Sequence, residues 1–204
     1  MSTLPKNYIT PEQYFEIDRQ AERKSEYYRG EMFAKAGASW AHNLIVLNLL
    51  CELGQQLRGG PCTPCPSDMR VRVPSTGLYA YPDALIVCGR PQFLDQDHNT
   101  LLNPTVIFEV LSPSTESYDR GTKAQLYRSL ESLREHVLIS SLHMSIEVFA
   151  RQSRNQWLLT PATQPDEVVE IQSAGCRLKL ADIYEKVEFS DADLGAGHMR
   201  PVHP

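Results

Sequence analysis

The chain has 204 residues, of which 42% are hydrophobic, and a formal net charge of -5 at pH 7. This size allows one sizeable core and most simply gives a single domain over residues 1–189. The acidic balance excludes a surface that is basic overall, so contact with nucleic acid would need a local patch or bound cations.

The N-terminus carries no targeting signal that can be recognised. Residues 1–20 lack a basic stretch followed by an apolar run, and no later run reaches the roughly 18 apolar residues of a membrane span. We therefore expect a cytoplasmic protein with no membrane segment. Five cysteines, an odd number, favour reduced thiols over a disulfide framework. Cys62 and Cys65 have the spacing of half a zinc site, but no second pair follows, so we interpret them as an inert loop pair.

The first predicted elements are a helix and a hairpin. Residues 10–13, "TPEQ", combine an N-cap, a proline at the first helical position and a capping-box glutamine, which predicts a helix over residues 11–21. Arg29-Gly30 separates two β-prone pieces and predicts a hairpin with Glu26 and Glu31 on either side of its turn.

A longer helix and two strands are predicted next. Apolar residues at helical spacing indicate a helix over residues 39–53, with His42 near its start. Residues 68–74, "DMRVRVP", alternate in polarity as a half-buried strand does. A turn then leads into "LYAYPDALIVCG", residues 78–89, which we predict to be one further strand.

The second half of the chain predicts a buried strand, a helix and several short strands. Residues 105–111 form an apolar run, and the leucine spacing that follows predicts a helix over about 115–132. Five β-prone runs come after it: "HVLIS", "SIEVFA", "WLLT", "EVVEI" and "CRLKL". The tail, 190–204, lacks apolar periodicity and is predicted to be disordered. This order of elements indicates an α/β fold, in which a mixed α+β sheet is flanked by helices.

Two carboxylates interrupt apolar strand faces. Asp83 shares a face with Leu85, and Glu109 shares one with Ile107, because side chains alternate along a strand. Either acid alone is better explained as a cap or an ion pair at a strand end. Two buried carboxylates on neighbouring strands repel each other unless one is protonated or a divalent cation lies between them. Mg²⁺ is the usual choice for an all-oxygen site, so the pair predicts a magnesium site.

Lys123 is a candidate third member of this site. It lies four residues after Asp119 and three before Leu126, so these side chains share one helical stripe that faces the core. A lysine there can place its ammonium beside the two acids. The alternative is a lysine that reaches solvent or forms a surface ion pair with Asp119.

The quoted motifs resemble those of a known family. "YPDALIV" and "PTVIFEVLSPSTESYDRGTKAQLYRSL", preceded by "YYRGEM" and "AHNLIVLNLL", resemble the Uma2 family over about residues 8–150. Uma2 is similar to the PD-(D/E)XK nucleases, the superfamily of type II restriction enzymes. The resemblance implies a restriction-endonuclease-like core over about residues 22–150, with an additional N-terminal helix and hairpin.

The resemblance also implies roles for individual residues. Asp83 matches the aspartate of the PD motif and Glu109 the second acid, so both would bind the metal, with the backbone carbonyl of Val110 completing the ligand set. The nuclease lysine usually stands two residues after that acid, where this chain has Leu111. Lys123, on the following helix, matches the place to which the lysine has moved in this family.

Supporting residues follow from the same resemblance. Glu31 matches the acid of the family's turn and His42 its helix-start histidine, and Asp119 lies on the lysine stripe.

Arg70 and Arg72 are predicted on the exposed face of their strand, which makes them candidate phosphate contacts. Alternating arginines of this kind are more often a solvated face.

The resemblance, together with the chemistry of these residues, implies a metal-dependent endonuclease that hydrolyses DNA, with Mg²⁺ as cofactor and Mn²⁺ able to replace it. A homodimer is plausible, because two-fold symmetry suits the cleavage of both strands of a duplex. The alternative is a catalytically silent protein that keeps the fold as a nucleic-acid-binding or protein-interaction module. In the silent form, Glu109 and Lys123 would form a direct buried ion pair with no room for a metal.

Overall fold

A computed structural model describes residues 8–35, 37–94 and 96–189 of the chain, so the predicted disordered tail, 190–204, lies outside the described residues. The helices are α1 (Pro11–Gln20), α2 (Trp40–Gln56), α3 (Glu116–Tyr118), α4 (Ala124–Arg128) and α5 (Leu180–Ile183), and a π-helical turn at Asp119–Lys123 joins α3 to α4. The strands are β1 (Ser25–Tyr28), β2 (Glu31–Ala34), β3 (Cys62–Pro66), β4 (Arg70–Val73), β5 (Leu78–Ala80), β6 (Ala84–Cys88), β7 (Thr100–Leu101), β8 (Val106–Leu111), β9 (Glu135–Ser140), β10 (Ile146–Ser153), β11 (Gln156–Ala162), β12 (Val168–Ile171) and β13 (Cys176–Lys179). None of the helices in the described ranges is long and apolar enough to cross a membrane.

A six-stranded sheet in the order β11-β10-β9-β8-β6-β3 forms the centre of the fold. Strands β8 and β9 are parallel, and the other neighbours are antiparallel. All six residues of β8 are buried, because Phe108 and Val110 pack with α2 on one face while Ile107 packs with α4 on the other. Burial of both faces explains why the sequence of this strand is apolar at every position except Glu109.

A second sheet in the order β2-β1-β5-β4-β7 lies beside the first. The single strand predicted for residues 78–89 is wrong, since β5 belongs to this second sheet and β6 to the six-stranded sheet. The break falls at Tyr81-Pro82-Asp83, where the proline has no N–H to donate to a ladder. Asp83 therefore stands at the point where the chain enters the central sheet.

The predicted helices and hairpin agree with the structure in most places. Thr10 caps α1 in a complete capping box, and the hairpin turns through two residues with positive φ, Arg29 at 51° and Gly30 at 88°. Two positive φ values are typical of the tight turn that joins twisted strands. The helix predicted over residues 115–132 is shorter and is interrupted by the π-helical turn. The five β-prone runs of the C-terminal half are strands β9 to β13.

The exposed position predicted for Arg70 is wrong. Helix α1 covers that face of β4, and Arg70 is buried, with its guanidinium 3.1 Å from an Asp18 oxygen and 3.1 Å from the hydroxyl of Thr100. Arg72 is half-buried, with its guanidinium over the ring of Tyr79. Arg70 therefore stabilises the docking of α1 and is not available to bind phosphate.

The expectations of reduced thiols and of a loop around Cys62 are also wrong. Residues 62–66 form the edge strand β3, where prolines are tolerated because one side of the strand has no ladder partner. The antiparallel register places Cys62 directly opposite Cys88 with a Cα–Cα distance of 4.0 Å, and the two form a disulfide. Cys51, Cys65 and Cys176 are free.

The disulfide gives a prediction for stability. Replacing both Cys62 and Cys88 by alanine should lower the free energy of unfolding by about 3 kcal/mol, because the bridge restricts the unfolded chain. Urea unfolding of the variant and of the oxidised parent measures the difference. Alanine at Cys51, an exposed free thiol, is the matched control and should change little. Equal stability of the double variant and the parent would contradict the prediction.

Candidate active site

Side chains from both sheets and from two helical segments meet at one cavity of about 140 Å³. This volume is smaller than the roughly 300 Å³ or more of pockets that enclose a whole small molecule. The cavity is lined by Glu26, Phe33, Ala34, Lys35, Gly37, Ala38, His42, Asp83, Glu109, Val110, Ser112, Thr115, Asp119 and Lys123.

Lys123 lies at the centre of a carboxylate cluster. Its Nζ is 2.9 Å from Oε1 of Glu109, 2.9 Å from Oε1 of Glu26 and 3.5 Å from Oδ1 of Asp119. All four side chains are buried. The π-helical turn brings Asp119 and Lys123 to the end of β8, and such turns occur frequently at functional sites.

Glu109 is fixed from the helix side. The hydroxyl of Tyr127, fully buried on α4, donates a hydrogen bond of 3.0 Å to Oε1 of Glu109, the same oxygen that Lys123 contacts. A carboxylate held by two donors has a defined orientation, and within the part of the chain that the structure describes its second oxygen has no hydrogen-bond partner.

Asp83 is held by groups on the other side of the cavity. Its Oδ2 accepts 2.9 Å from the backbone N–H of Val110 and lies 3.2 Å from Nε2 of His42. Its Oδ1 accepts 3.1 Å from Nζ of Lys35. Burial raises the pKa of Asp83, but the hydrogen bond of His42 and the charge of Lys35 outweigh it and hold the pKa well below its ordinary value.

The pKa of Glu109 moves in the opposite direction. Burial and the charges of Asp83 and Asp119 raise the pKa of Glu109 to about 8, although the Lys123 ammonium opposes them. Burial lowers the pKa of Lys123, but the charge of Glu109 and its neighbours raises it well above the ordinary value, so the lysine stays charged. A pair of acids whose pKa values are pushed apart is typical of functional sites.

The cavity carries more negative than positive charge. Four carboxylates line it, from Glu26, Asp83, Glu109 and Asp119, against the two ammonium groups of Lys35 and Lys123. When all four carboxylates are ionised they outnumber the two ammonium groups by two, and protonation of Glu109, whose pKa is raised, reduces this excess to one.

The oxygen atoms that line the cavity are of the type that Mg²⁺ prefers as ligands. Across the described ranges, no three His, Cys, Asp or Glu side chains form a set that could hold a metal by themselves. Mg²⁺ usually takes one or two protein carboxylates and keeps several waters or substrate oxygens. Asp83, Glu109 and the carbonyl of Val110 supply oxygens of this type at the ends of adjacent strands β6 and β8.

Most of the site residues predicted from the sequence line this cavity. They are Asp83, Glu109, Val110, Lys123, His42 and Asp119. Glu31 does not, because it is exposed at the start of β2, opposite Tyr28. Glu26, on the facing strand, contributes the hairpin carboxylate instead. The sequence signal that could have identified Glu26 was a charged residue next to Tyr27 and Tyr28 within a predicted strand.

Two further residues of the site had no assigned role in the sequence. Tyr127 lies in the quoted segment "PTVIFEVLSPSTESYDRGTKAQLYRSL", and its spacing of four from Lys123 was the available signal. Lys35 follows β2 in coil, and no pattern in the sequence indicates that it would reach Asp83.

The fold is of the restriction-endonuclease-like class. A solved structure described as "a putative nuclease belonging to DUF820", from Anabaena variabilis, superposes with a TM-score of 0.68. The match covers 86% of this chain and 97% of that one at 17% sequence identity, so it shows the fold alone.

The chain belongs to the Uma2 family. The family profile, described as "Putative restriction endonuclease", matches residues 11–181. Two uncharacterised proteins of Synechocystis sp. are also similar: slr1290 is 30% identical over 89% of this chain and 94% of its own length, and sll1609 is 34% identical over 74% of this chain and 86% of its own length. The predicted family and fold are thus confirmed.

The raised pKa of Glu109 predicts a pH dependence of stability in metal-free buffer. A group whose pKa is higher in the folded than in the unfolded state favours folding at low pH, and this contribution is lost as the pH rises. Between pH 4.5, the ordinary pKa, and about 8, the parent should therefore lose stability relative to Glu109→Gln, which cannot ionise.

Urea unfolding at several pH values in the presence of a chelator measures both proteins. The difference between them isolates Glu109 from the other titrating groups. A difference that stays constant from pH 4.5 to 8 would contradict the prediction.

Proposed function

We propose that the protein is a metal-dependent endonuclease that hydrolyses phosphodiester bonds of DNA. The observation that carries this proposal is the convergence of Asp83, Glu109 and Lys123, from separate segments of the chain, on one cavity. The family and the fold support a nuclease of the restriction-endonuclease-like class. The proposal goes beyond the family and the fold in two respects: the enzyme needs a metal ion, and its substrate is DNA.

In this proposal Asp83, Glu109 and the carbonyl of Val110 hold Mg²⁺, and Mn²⁺ can replace it. The bound ion would supply a nucleophilic water at neutral pH and stabilise charge on the phosphate oxygens. The excess of carboxylates over ammonium groups in the cavity supports this assignment.

Lys123 is proposed to orient the attacking water and to neutralise the phosphate. Its ammonium is buried and held by Glu26, Glu109 and Asp119, so it presents a fixed positive charge with little reorganisation during the reaction. Glu26 and Asp119 act as positioning residues for the lysine.

His42 and Tyr127 are proposed to orient the two metal-binding acids. His42 contacts Asp83 through Nε2, and Tyr127 donates to Glu109. Hydrogen bonds of this kind fix the direction of a ligand oxygen, and their loss usually weakens metal binding.

The proposed partner is double-stranded DNA. A bound divalent cation reduces the repulsion between an acidic chain and the phosphate backbone. Cleavage of both strands would be achieved by a homodimer, in which each copy cuts one strand.

A catalytically silent nucleic-acid-binding or interaction module is the second candidate. The direct contact of 2.9 Å between Glu109 and Lys123, and the contact of 3.1 Å between Asp83 and Lys35, favour it because both acids already have a cation. Binding of DNA without Mg²⁺ and without cleavage would support this candidate over the nuclease.

Substitutions of the three central residues test the nuclease. Asp83→Asn, Glu109→Gln and Lys123→Met should each reduce Mg²⁺-dependent cleavage of plasmid DNA by about 100-fold or more, because the first two remove a carboxylate that would hold the metal and the third removes the ammonium that would act on the phosphate. Glu31→Gln is the matched control and should keep the activity of the parent, since Glu31 lies outside the cavity.

Cleavage is followed by the loss of supercoiled plasmid on gels, and circular dichroism checks that each variant is folded. Equal cleavage by the parent and the three variants would show that the cleavage of plasmid DNA does not come from this cavity.

A further inference from the structure

Two lysines contact the acids of the cavity, and their surroundings differ. Lys123 has a side chain that is only 5% exposed and meets three carboxylates. Lys35 has a side chain that is 33% exposed and, among the residues that the structure describes, meets one carboxylate, that of Asp83. Its other contact is the backbone carbonyl of Tyr81, which accepts a hydrogen bond of 3.0 Å. Lys35 is therefore held by fewer charges and has access to solvent.

The contacts of Asp83 show which of its oxygens a cation could use. Oδ2 has two contacts, one from the N–H of Val110 and one from His42. A carboxylate oxygen has about two lone-pair sites, so Oδ2 has no further capacity. Oδ1 is the remaining oxygen, and the ammonium of Lys35 lies 3.1 Å from it.

A divalent cation on Oδ1 would stand next to the ammonium of Lys35. Like charges in a cavity that is partly closed to water repel each other much more strongly than in bulk solvent. Lys35 lies in coil after β2, and its backbone N–H donates a hydrogen bond of 3.0 Å to the carbonyl of Lys24. The side chain can move toward solvent while this backbone hydrogen bond stays in place.

We propose that Lys35 is a displaceable counter-ion of Asp83. Its ammonium neutralises Asp83 in the metal-free protein, competes with the divalent cation for Oδ1, and moves away when the cation binds. Lys35 thus sets the affinity of the site for metal, whereas Lys123 stays in place. This inference rests on the metal site of the proposed function.

Metal affinity tests the proposal without any cleavage assay. Mn²⁺ binding is measured by electron paramagnetic resonance of the free ion for the parent, Lys35→Met and Lys35→Arg. Lys35→Met should bind Mn²⁺ about tenfold more tightly, a coupling in the range usual between competing ligands. Lys35→Arg, which keeps the charge, should bind within a fewfold of the parent.

A charge control separates competition at Asp83 from a change in net charge. Lys179 is exposed on β13 and does not line the cavity, so Lys179→Met removes one positive charge elsewhere and should leave Mn²⁺ affinity unchanged. Equal tightening by both methionine variants would overturn the role of Lys35.

The remaining outcomes distinguish this inference from the proposed function. If the parent and Lys35→Met bind Mn²⁺ with the same affinity, the metal site stands and the role of Lys35 is overturned. If neither binds Mn²⁺, the metal site of the proposed function fails and this inference fails with it.

A second measurement does not need Lys35→Met, in case that variant does not fold. In protein labelled with ¹³C-lysine, the resonance that is missing from Lys35→Arg identifies Lys35. Titration with Mg²⁺ should move this resonance toward the position of exposed lysines. A Lys35 resonance that stays unchanged when the site is saturated with Mg²⁺ would overturn the proposal.

Discussion

The burial of the Lys123 ammonium is the constraint on which the site depends. An ion taken out of water costs several kcal/mol unless partners compensate it, and removing one partner of a buried pair is strongly destabilising. Lys123 meets three carboxylates, one each from β1, β8 and the π-helical turn. The same contacts that compensate the lysine therefore also join the hairpin, the central sheet and the helical segment at one point.

Both sheets reach the cavity because the chain passes from the second sheet to the six-stranded sheet beside it. Strand β5 ends at Ala80 in the second sheet, β6 begins at Ala84 in the first, and Asp83 lies in the short connection. An acid in a connection can turn toward a cavity, whereas an acid in the middle of β6 would have to face one of the two apolar cores. Pro82 and the change of sheet therefore decide where the carboxylate of Asp83 lies in the cavity.

Parts of the fold and the site could be predicted from the sequence because their signals are local. The capping box of α1, the burial of β8 and the stripe that contains Lys123 all follow from spacing within one segment. Glu26, Lys35 and the Cys62–Cys88 bridge depend on which segments become neighbours, and that is fixed by sheet register and packing. Arg70 shows the same limit, since the polar alternation of β4 was correct but α1 covers the face that it predicted to be exposed.

The π-helical turn at Asp119–Lys123 has a consequence for how this segment can vary in length. A π-helical turn contains one residue more than an α-helical turn, so it behaves as a one-residue insertion in the helix. Deleting one residue inside the turn would convert it to α-helical geometry and would place Asp119 and Lys123 three positions apart instead of four, which would change how these two side chains meet. The number of residues in the turn from Asp119 to Lys123 is therefore as important to the site as the identity of those residues.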